Sequence, residues 1–118
     1  MTDYQIRDQE VLNQTYQIGL KQYQSVENDQ ARKAWADFYK ALADETRLKI
    51  ITFLSQGPAC LCELVDALSV ANSTLTHHLQ LLDRGGLIEK KKQGRFTIYQ
   101  LNQSDQVNSI LTTLSIGG

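Results

Sequence analysis

Residues Leu61 to Leu82 read LCELVDALSVANSTLTHHLQLL, and this stretch decides the fold. Apolar side chains recur at helical spacing in two segments, Leu61–Leu68 and Ser73–Arg84, so each segment predicts a helix with one buried face. The four residues between the segments leave room only for a tight turn. The stretch therefore predicts a helix-turn-helix.

Short or hydrogen-bonding side chains occupy the outward face of the second predicted helix and the position just before it. They are Asn72, Ser73, Thr74, Thr76, His77 and Gln80. Side chains of this kind suit a helix that lies in a DNA major groove, beside base edges and phosphates. An ordinary helical hairpin with a solvated polar face would show the same pattern, so this stretch alone leaves both interpretations open.

A β-hairpin is predicted directly after the two helices. Gly85-Gly86 tolerates the left-handed conformations found at helix C-termini, and Leu87–Lys92 then predicts a strand. After a turn at Gln93-Gly94, Arg95–Leu101 alternates apolar and polar residues and predicts the second strand. A helix-turn-helix followed by a β-hairpin is a winged helix.

Positive charge is concentrated in and beside the predicted hairpin. Five cationic side chains stand against Glu89 and give this region a net charge of +4 in a chain of net charge −1; they are Arg84, Lys90, Lys91, Lys92 and Arg95. Such a concentration is typical of a phosphate-binding surface. The alternative interpretation is that this is a solvated charged hairpin whose lysines discourage pairing with the exposed edge of the strand. Together with the preceding helix, the pattern favours DNA binding.

Three runs between Ala34 and Gln103 resemble the ArsR/SmtB family of metal-sensing repressors. They are ALADETRLKIITFL, CLCELVDALSVANSTLTHHLQLLDRGGLI and KKKQGRFTIYQL, and the resemblance covers roughly 70 of 118 residues. It implies a mainly α, dimeric winged helix-turn-helix with a β-hairpin wing, acting as a transcriptional repressor on double-stranded operator DNA. Many members carry glycine where this chain has Ser69, which can still make the bend.

Cys60-Leu61-Cys62 stands at the start of the first helix and resembles the metal box of that family. The resemblance implies an inducer ion such as As(III), Sb(III), Cd(II) or Pb(II). Thiolates are soft ligands for such ions, and a helix N-terminus favours the thiolate form. Residues i and i+2 of a regular helix point roughly 200° apart, so both sulfurs reach one ion only if Cys60 lies in the capping turn.

Two thiolates are too few for a three-sulfur arsenite site or a tetrahedral cadmium site. Arsenical repressors of the family often have a third cysteine where this chain has Val65, and residues 1–59 contain neither Cys nor His. The third ligand stays open among a small-molecule thiol, a halide, water and a carboxylate such as Glu63. The cysteines themselves fit three interpretations: a soft-ion site, a thiol redox or persulfide sensor, and simple packing. A disulfide between residues i and i+2 closes a small ring, which counts against redox sensing.

A second family metal site, on the C-terminal helix, has no ligands in this chain, because Asp105 is the only ionisable side chain after Tyr99. The segment from Ser104 to Ile116 is therefore predicted to be a dimerisation helix, with apolar residues at helical spacing. His77 and His78 cannot both face one ion from one helix. No constellation of catalytic residues can be assembled, so the sequence predicts that the chain is not an enzyme.

We expect three regions: an N-terminal helical extension over 1–28, the winged helix-turn-helix over 29–103 and the dimerisation helix over 104–118. The segment Met1–Ser25 carries an apolar stripe that predicts a helix, although its glutamine content also suits partial disorder; the stripe is Leu12, Tyr16, Leu20 and Tyr23. Ser25–Asp29 is predicted to be a polar linker.

Two further helices are predicted before the helix-turn-helix. Asp29 is expected to cap the first, whose apolar face carries Ala31, Ala34, Trp35, Phe38 and Leu42. Asp44 is expected to cap the second, which runs to about Gln56 and is stopped by Gly57-Pro58. Arg47 in this helix suits either a structural role or a phosphate contact, and we favour the structural role.

The chain has no apolar run near transmembrane length and no signal peptide, which predicts a cytoplasmic protein without a membrane partner. Two cysteines in a reducing compartment argue against a structural disulfide framework. Two other functions remain open. One is a redox-responsive or constitutive winged-helix regulator, and the other is a protein-interaction module that docks through the N-terminal helix.

Overall fold

The computed structural model describes residues 3–116, which form seven helices and three strands. In chain order they are α1 (Gln9–Gln22), α2 (Gln24–Glu27), α3 (Asp29–Leu42), α4 (Glu45–Leu54), β1 (Ala59–Cys60), α5 (Leu61–Leu68), α6 (Asn72–Arg84), β2 (Ile88–Gln93), β3 (Phe96–Leu101) and α7 (Asp105–Ile116). The chain divides into two compact units, one ending at Trp35 and one starting at Ala36. None of the helices in this described part combines the length and the apolar character needed to cross a bilayer.

The segment Met1–Ser25, predicted as one helix, contains α1 and the start of a second helix, α2, and its first two residues lie outside the described part. Asp8 caps α1 by accepting a hydrogen bond from the Val11 N–H, and the helix is interrupted at Tyr23 before α2 begins. The predicted linker at Ser25–Asp29 is therefore wrong, because most of it is helical. In the predicted apolar stripe, Tyr16 and Tyr23 are 65% and 67% exposed, whereas Leu12 and Leu20 are half-buried.

Asn28, not Asp29, caps α3. The Asn28 side chain accepts a hydrogen bond from the Ala31 N–H at 2.9 Å, while Asp29 is the first helical residue and pairs with Arg32 at 2.6 Å. The side-chain oxygen of Asn28, one residue before the predicted cap, thus binds a free backbone N–H of the first turn. The buried positions of α3 are Phe38 and Ala41, whereas the predicted Ala34 is exposed.

The core of the second unit is built from the apolar faces of α4, α5 and α6. Asp44 caps α4 as predicted, accepting from the Arg47 N–H at 3.0 Å, although the helix ends at Leu54 rather than Gln56. The periodic leucines of α6 are at most 1% exposed, which confirms the predicted buried face; they are Leu75, Leu79 and Leu82. The end of α6 lies against α3 so closely that a Cβ on Gly85 would stand 2.8 Å from the Cβ of Ala41.

The sheet has three antiparallel strands in the order β1-β3-β2, so the predicted hairpin gains a third strand. Ala59 pairs with Tyr99 and Cys60 with Ile98. The hairpin turn lies at Gly94 and Arg95 rather than at Gln93-Gly94, because Gln93 still pairs with Phe96. Gly94 takes a left-handed conformation, with φ of 61°, that glycine adopts without strain.

The C-terminal helix begins where the sequence predicted. The Ser104 hydroxyl accepts a hydrogen bond from the Val107 N–H at 3.2 Å, and Val107 packs into the core. Towards the end of α7 the apolar side chains are more exposed, reaching 43% at Leu114 and 75% at Ile116. Leu114 lines an open apolar groove together with Leu48, Phe53 and Leu68.

Candidate DNA-binding surface and thiol pair

The outward face of α6 presents the predicted DNA-contacting residues to solvent. Asn72, Ser73, Thr74, His77 and Gln80 are all exposed. Thr76 is half-buried, and its hydroxyl donates to the backbone oxygen of Asn72 at 2.9 Å. With that proton engaged within the helix, the Thr76 oxygen keeps a lone pair that can accept a hydrogen bond from a bound molecule.

The N-terminus of α6 is suited to bind an anion. Its N-cap is Ala71, which provides no side-chain hydrogen bond, and no acidic residue lies in the first turn. The first N–H groups of the helix therefore point outward with the positive end of the helix dipole, beside the exposed Ser73 and Thr74. A DNA phosphate is an anion that fits such a terminus.

Arg47 fixes α6 to the helices that precede it. Its Nε donates to the backbone oxygen of Ala41 at 2.7 Å, and its Nη1 lies 3.0 Å from Nδ1 of His78. Since a guanidinium only donates, the Nδ1 of His78 is the acceptor in this hydrogen bond. Arg47 is 9% exposed, so the structural role favoured from the sequence is confirmed.

Asp44 completes this cluster, with its carboxylate 3.7 Å from His78. The pKa of Asp44 is lowered from its ordinary value of 3.8, first by the hydrogen bond from the Arg47 N–H. Partial desolvation opposes this shift, and the charge of Arg47 supports it. A charged Asp44 therefore stabilises the start of α4, the helix that carries Arg47.

The wing holds its cations on the exposed part of the hairpin. Lys90, Lys91, Lys92 and Arg95 are all exposed, and Arg95 lies over the ring of Phe96 at 5.5 Å from its centroid. Cross-strand pairing with Tyr99 and Thr97 puts Lys90 and Lys92 on one face of the hairpin, whereas Lys91 is on the other. Arg95 lies in the turn itself, so positive charge reaches the tip of the wing.

Cys60 lies in the capping turn, the position from which both sulfurs could reach one ion. It is the N-cap of α5 in extended conformation, its Sγ accepts a hydrogen bond from the Glu63 N–H at 3.4 Å, and the Glu63 carboxylate accepts from the Cys60 N–H at 3.0 Å. This reciprocal arrangement is a capping box. Cys60 is 6% exposed, whereas Cys62, within the helix, is exposed.

The two sulfurs are joined in the structure as a disulfide, with the Cα atoms 5.4 Å apart. That separation is within the ordinary range for bonded cysteines, so the small ring does not prevent the sulfurs from meeting. Among residues 3–116, no group of three His, Cys, Asp or Glu side chains is placed to hold a metal ion. Within that part of the chain, the two sulfurs therefore stand without a third side chain of these types that would complete a metal site.

One feature of this site was not predicted from the sequence. Cys60 belongs to β1 and pairs with Ile98 of the wing strand β3, so the thiol pair touches the wing as well as the helix-turn-helix. A strand of two residues carries no periodicity, and Ala59-Cys60 offered no signal beyond its apolar character. The contact between Arg47 and His78 could not be predicted from the sequence either, because the two residues are 31 positions apart.

The helices, the turn and the three-stranded wing together define a winged helix-turn-helix. Residues 44–90 match the family described as "Bacterial regulatory protein, arsR family". The chain is 40% identical over 75 residues to the arsenical resistance operon repressor of Bacillus subtilis, covering 63% of this chain and 70% of that protein. It therefore belongs to the ArsR family.

Two further similarities agree with this membership. A cadmium resistance transcriptional regulatory protein, the CadC homolog of Staphylococcus aureus, is 37% identical over 68 residues, or 57% of this chain and 56% of that one. The homodimeric winged helix-turn-helix DNA-binding domain Mb0332 of Mycobacterium bovis, a possible ArsR-family regulator, has a TM-score of 0.65. It is 27% identical and is matched over 71% of this chain and 77% of its own.

Proposed function

We propose that this chain is a cytoplasmic, homodimeric repressor that binds operator DNA and is released by a thiophilic metal or metalloid at Cys60 and Cys62. The candidate inducers are As(III), Sb(III), Cd(II) and Pb(II). One observation carries the proposal: the thiol pair stands at the junction of α5, which leads into α6, and β1, which pairs with the wing. A ligand there acts on both elements that would contact DNA.

The proposed DNA contacts follow from exposure and charge. In each subunit α6 enters a major groove with Asn72, Ser73, Thr74, Thr76, His77 and Gln80, while Lys90, Lys91, Lys92 and Arg95 bind the flanking phosphates. The uncapped start of α6 supports a phosphate contact at that end of the helix. A two-fold dimer implies a roughly palindromic operator.

The three regions predicted from the sequence receive separate roles in this proposal. Residues 29–103 bind DNA, and α7, in the predicted region 104–118 whose last two residues lie outside the described part, is the dimerisation helix, which is supported by the exposed Leu114 and by the homodimeric relative. The extension predicted over 1–28 adds the exposed aromatic side chains of Tyr16 and Tyr23, which suit contact with a partner subunit.

The proposed release mechanism begins at the capping box. A ligand that engages both sulfurs withdraws Cys60 from the Glu63 N–H and shifts the first turn of α5. The shift is passed to α6 through the turn at Ser69 and to the wing through the pairing of Cys60 with Ile98. A dimer whose reading helices move by about 1–2 Å no longer matches its half-site spacing.

The test compares the wild-type chain with the Cys60→Ser, Cys62→Ser double variant in the reduced state. Fluorescence anisotropy on a labelled fragment from upstream of the chain's own gene measures DNA binding, followed by titration with arsenite, cadmium and zinc. We expect both proteins to bind with similar affinity and only the wild type to be released. Release of the double variant would contradict a role for the thiol pair.

A second candidate function is a redox-responsive regulator, favoured by the joining of Cys60 and Cys62 in the structure. In that case hydrogen peroxide alone, which oxidises two thiols to a disulfide and is reduced to water, would release the reduced protein from DNA without any ion. A phosphine reductant would restore binding. Under the main proposal, oxidation leaves the protein on DNA and unresponsive to ions, because both thiolates are consumed.

A further inference from the structure

The tip of the wing carries an aromatic side chain that neither the core nor the proposed phosphate contacts use. Phe96 opens β3, directly after the turn at Gly94 and Arg95, and is 45% exposed. We propose that Phe96 contacts DNA by packing against deoxyribose in the minor groove next to the major groove that holds α6. The inference rests on the proposed function, because it adds an apolar contact to the same DNA-binding surface.

The strand register places the ring of Phe96 on the outward face of the wing. Tyr99 and Ile88 are buried and share the other face of the hairpin, which packs on the core. Because side chains alternate along a strand, Phe96 lies on the opposite face, together with Ile98 and Lys91. Pairing with β1 ends at Ile98, so Phe96 lies beyond that strand as well. A single exposed phenylalanine is common on protein surfaces, and its surroundings therefore decide its role.

The surroundings of this ring are cationic. Lys91 lies diagonally across the hairpin on the same face, and the guanidinium of Arg95 lies over the ring. Glu89 is the only acidic residue of the two wing strands, and it bonds to Gln100 at the end of the hairpin away from the turn. Phosphates therefore attract the tip and bring Phe96 to the DNA surface with it. This charge favours DNA over an apolar protein surface as the partner of the ring.

The place of the tip in the molecule favours a minor groove. In the proposed function α6 lies in a major groove and the wing cations bind the flanking phosphates, so the tip reaches the minor groove across that backbone. The negative potential of a minor groove attracts arginine, and proteins that bind there often add apolar side chains. Arg95 and Phe96 are adjacent and supply both kinds of side chain.

The guanidinium of Arg95 limits how Phe96 can bind. Cation–π attraction holds this group over one face of the ring, at 5.5 Å from the centroid. A ring that inserts between two base pairs needs both faces free for stacking, so Phe96 cannot intercalate while Arg95 stays in place. Its free face and edge fit instead against the carbon atoms of a deoxyribose. The structure therefore predicts an apolar contact that does not kink the DNA.

The test measures binding of the full chain to the labelled fragment from upstream of its own gene. We expect Phe96→Ala to bind about tenfold more weakly than the wild type, with an unchanged slope of log affinity against log salt concentration because no charge is lost. Phe96→Leu keeps much of the apolar surface and should bind within about threefold of the wild type. As a control, Tyr4→Ala removes an aromatic ring that is 79% exposed outside the winged-helix unit and should leave the affinity unaltered.

Hydroxyl-radical footprinting locates the contact, because the radical cleaves DNA at deoxyribose carbons that are accessible from the minor groove. At saturating protein, the wild type should protect sugars in the minor groove beside each half-site. Phe96→Ala should lose this protection and keep the protection of the other sugars. Both proteins should bend the DNA to the same extent in a circular-permutation assay, and a bend that depends on Phe96 would overturn the one-sided contact.

The possible failures are distinguishable. Equal affinities and footprints for the wild type and Phe96→Ala would overturn the inference and leave the proposed function standing. A salt slope that falls as much as that of Arg95→Gln would show that Phe96 only positions Arg95, and a matching loss of unfolding free energy would show that it only stabilises the wing; either result would overturn the sugar contact. A wild-type chain that binds neither this fragment nor random-sequence DNA would contradict both proposals, whereas a chain that binds DNA and ignores every ion would contradict only the proposed release.

Discussion

At the scale of single residues, two positions of the second unit combine an unusual backbone conformation or charge state with a role in positioning α6. Ser69 ends α5 with φ of 55°, and it is the only non-glycine residue between 3 and 116 with positive φ. Asp44 caps α4 and has a lowered pKa. Each gives a prediction that a single substitution can test.

Ser69→Gly should stabilise the protein by up to about 1 kcal/mol, because glycine adopts the left-handed conformation without the steric cost that a Cβ brings. Chemical denaturation measures the change in the free energy of unfolding. Ser69→Ala is the control and should give no gain, since alanine keeps the Cβ. An equal gain from alanine would show that backbone strain is not the cause.

Asp44→Ala should cost about 1 kcal/mol of unfolding free energy at neutral pH, through loss of the helix cap. Because the pKa of Asp44 is lowered in the folded state, its charge adds stability above the ordinary value of 3.8, and this is lost as the pH falls through the folded-state pKa. Denaturation curves should be measured at neutral pH and again at a pH below the folded-state pKa of Asp44. The difference in unfolding free energy between Asp44→Ala and the wild type should be smaller at the acidic pH. A difference independent of pH would refute the contribution of the Asp44 charge. As a control, Asp44→Asn keeps a capping oxygen and should lose less unfolding free energy than Asp44→Ala.

At the scale of helices and strands, the sequence predicted the elements whose apolar period is buried in the core. The spacing of Leu75, Leu79 and Leu82 was sufficient to place α6, because burial of that face stabilises the helix. The short elements α2 and β1 were missed. The four residues of α2 are too few to show a helical period, and β1 depends on pairing with a strand that is distant in sequence. For the same reason the residue types of the site were predictable, but the contact between Cys60 and the wing was not.

The wing gives a prediction at this scale. If Lys92 and Arg95 bind phosphates, Lys92→Gln and Arg95→Gln should each reduce the slope of log affinity against log salt concentration by about one. Fluorescence anisotropy over a range of salt concentrations measures this slope. As a control, Lys21→Gln in α1 makes the same charge change outside the winged-helix unit and should leave the slope unaltered. If the wing variants also leave the slope unaltered, the wing does not bind DNA phosphates.

At the scale of the whole molecule, the exposed apolar side chains of α7 bear on assembly. Leu114 is 43% exposed and lines a groove with Leu48, Phe53 and Leu68. The sequence predicted a dimerisation helix here from its apolar spacing, and the exposure of Leu114 and Ile116 leaves this end of α7 accessible to a second copy of the chain.

Leu114→Glu should shift the protein from dimer to monomer, because a charge in the proposed interface would be desolvated without a partner. Sedimentation velocity measures the mass of the protein in solution. Affinity for the operator should be lower for the monomer, because a monomer binds only one half-site. Ser115→Glu, a neighbouring exposed position, should remain dimeric. A Leu114→Glu dimer that binds DNA normally would place the interface elsewhere.

The pairing of Ala59 with Tyr99 also has a consequence for how the protein is made. It joins two points about 40 residues apart, and both α5 and α6 lie between them. While the chain is being translated, β1 has no partner until the second wing strand has left the ribosome. A message cut short before Tyr99 would yield helices with an unpaired strand beside them, so the winged-helix unit is completed only after Tyr99 has emerged.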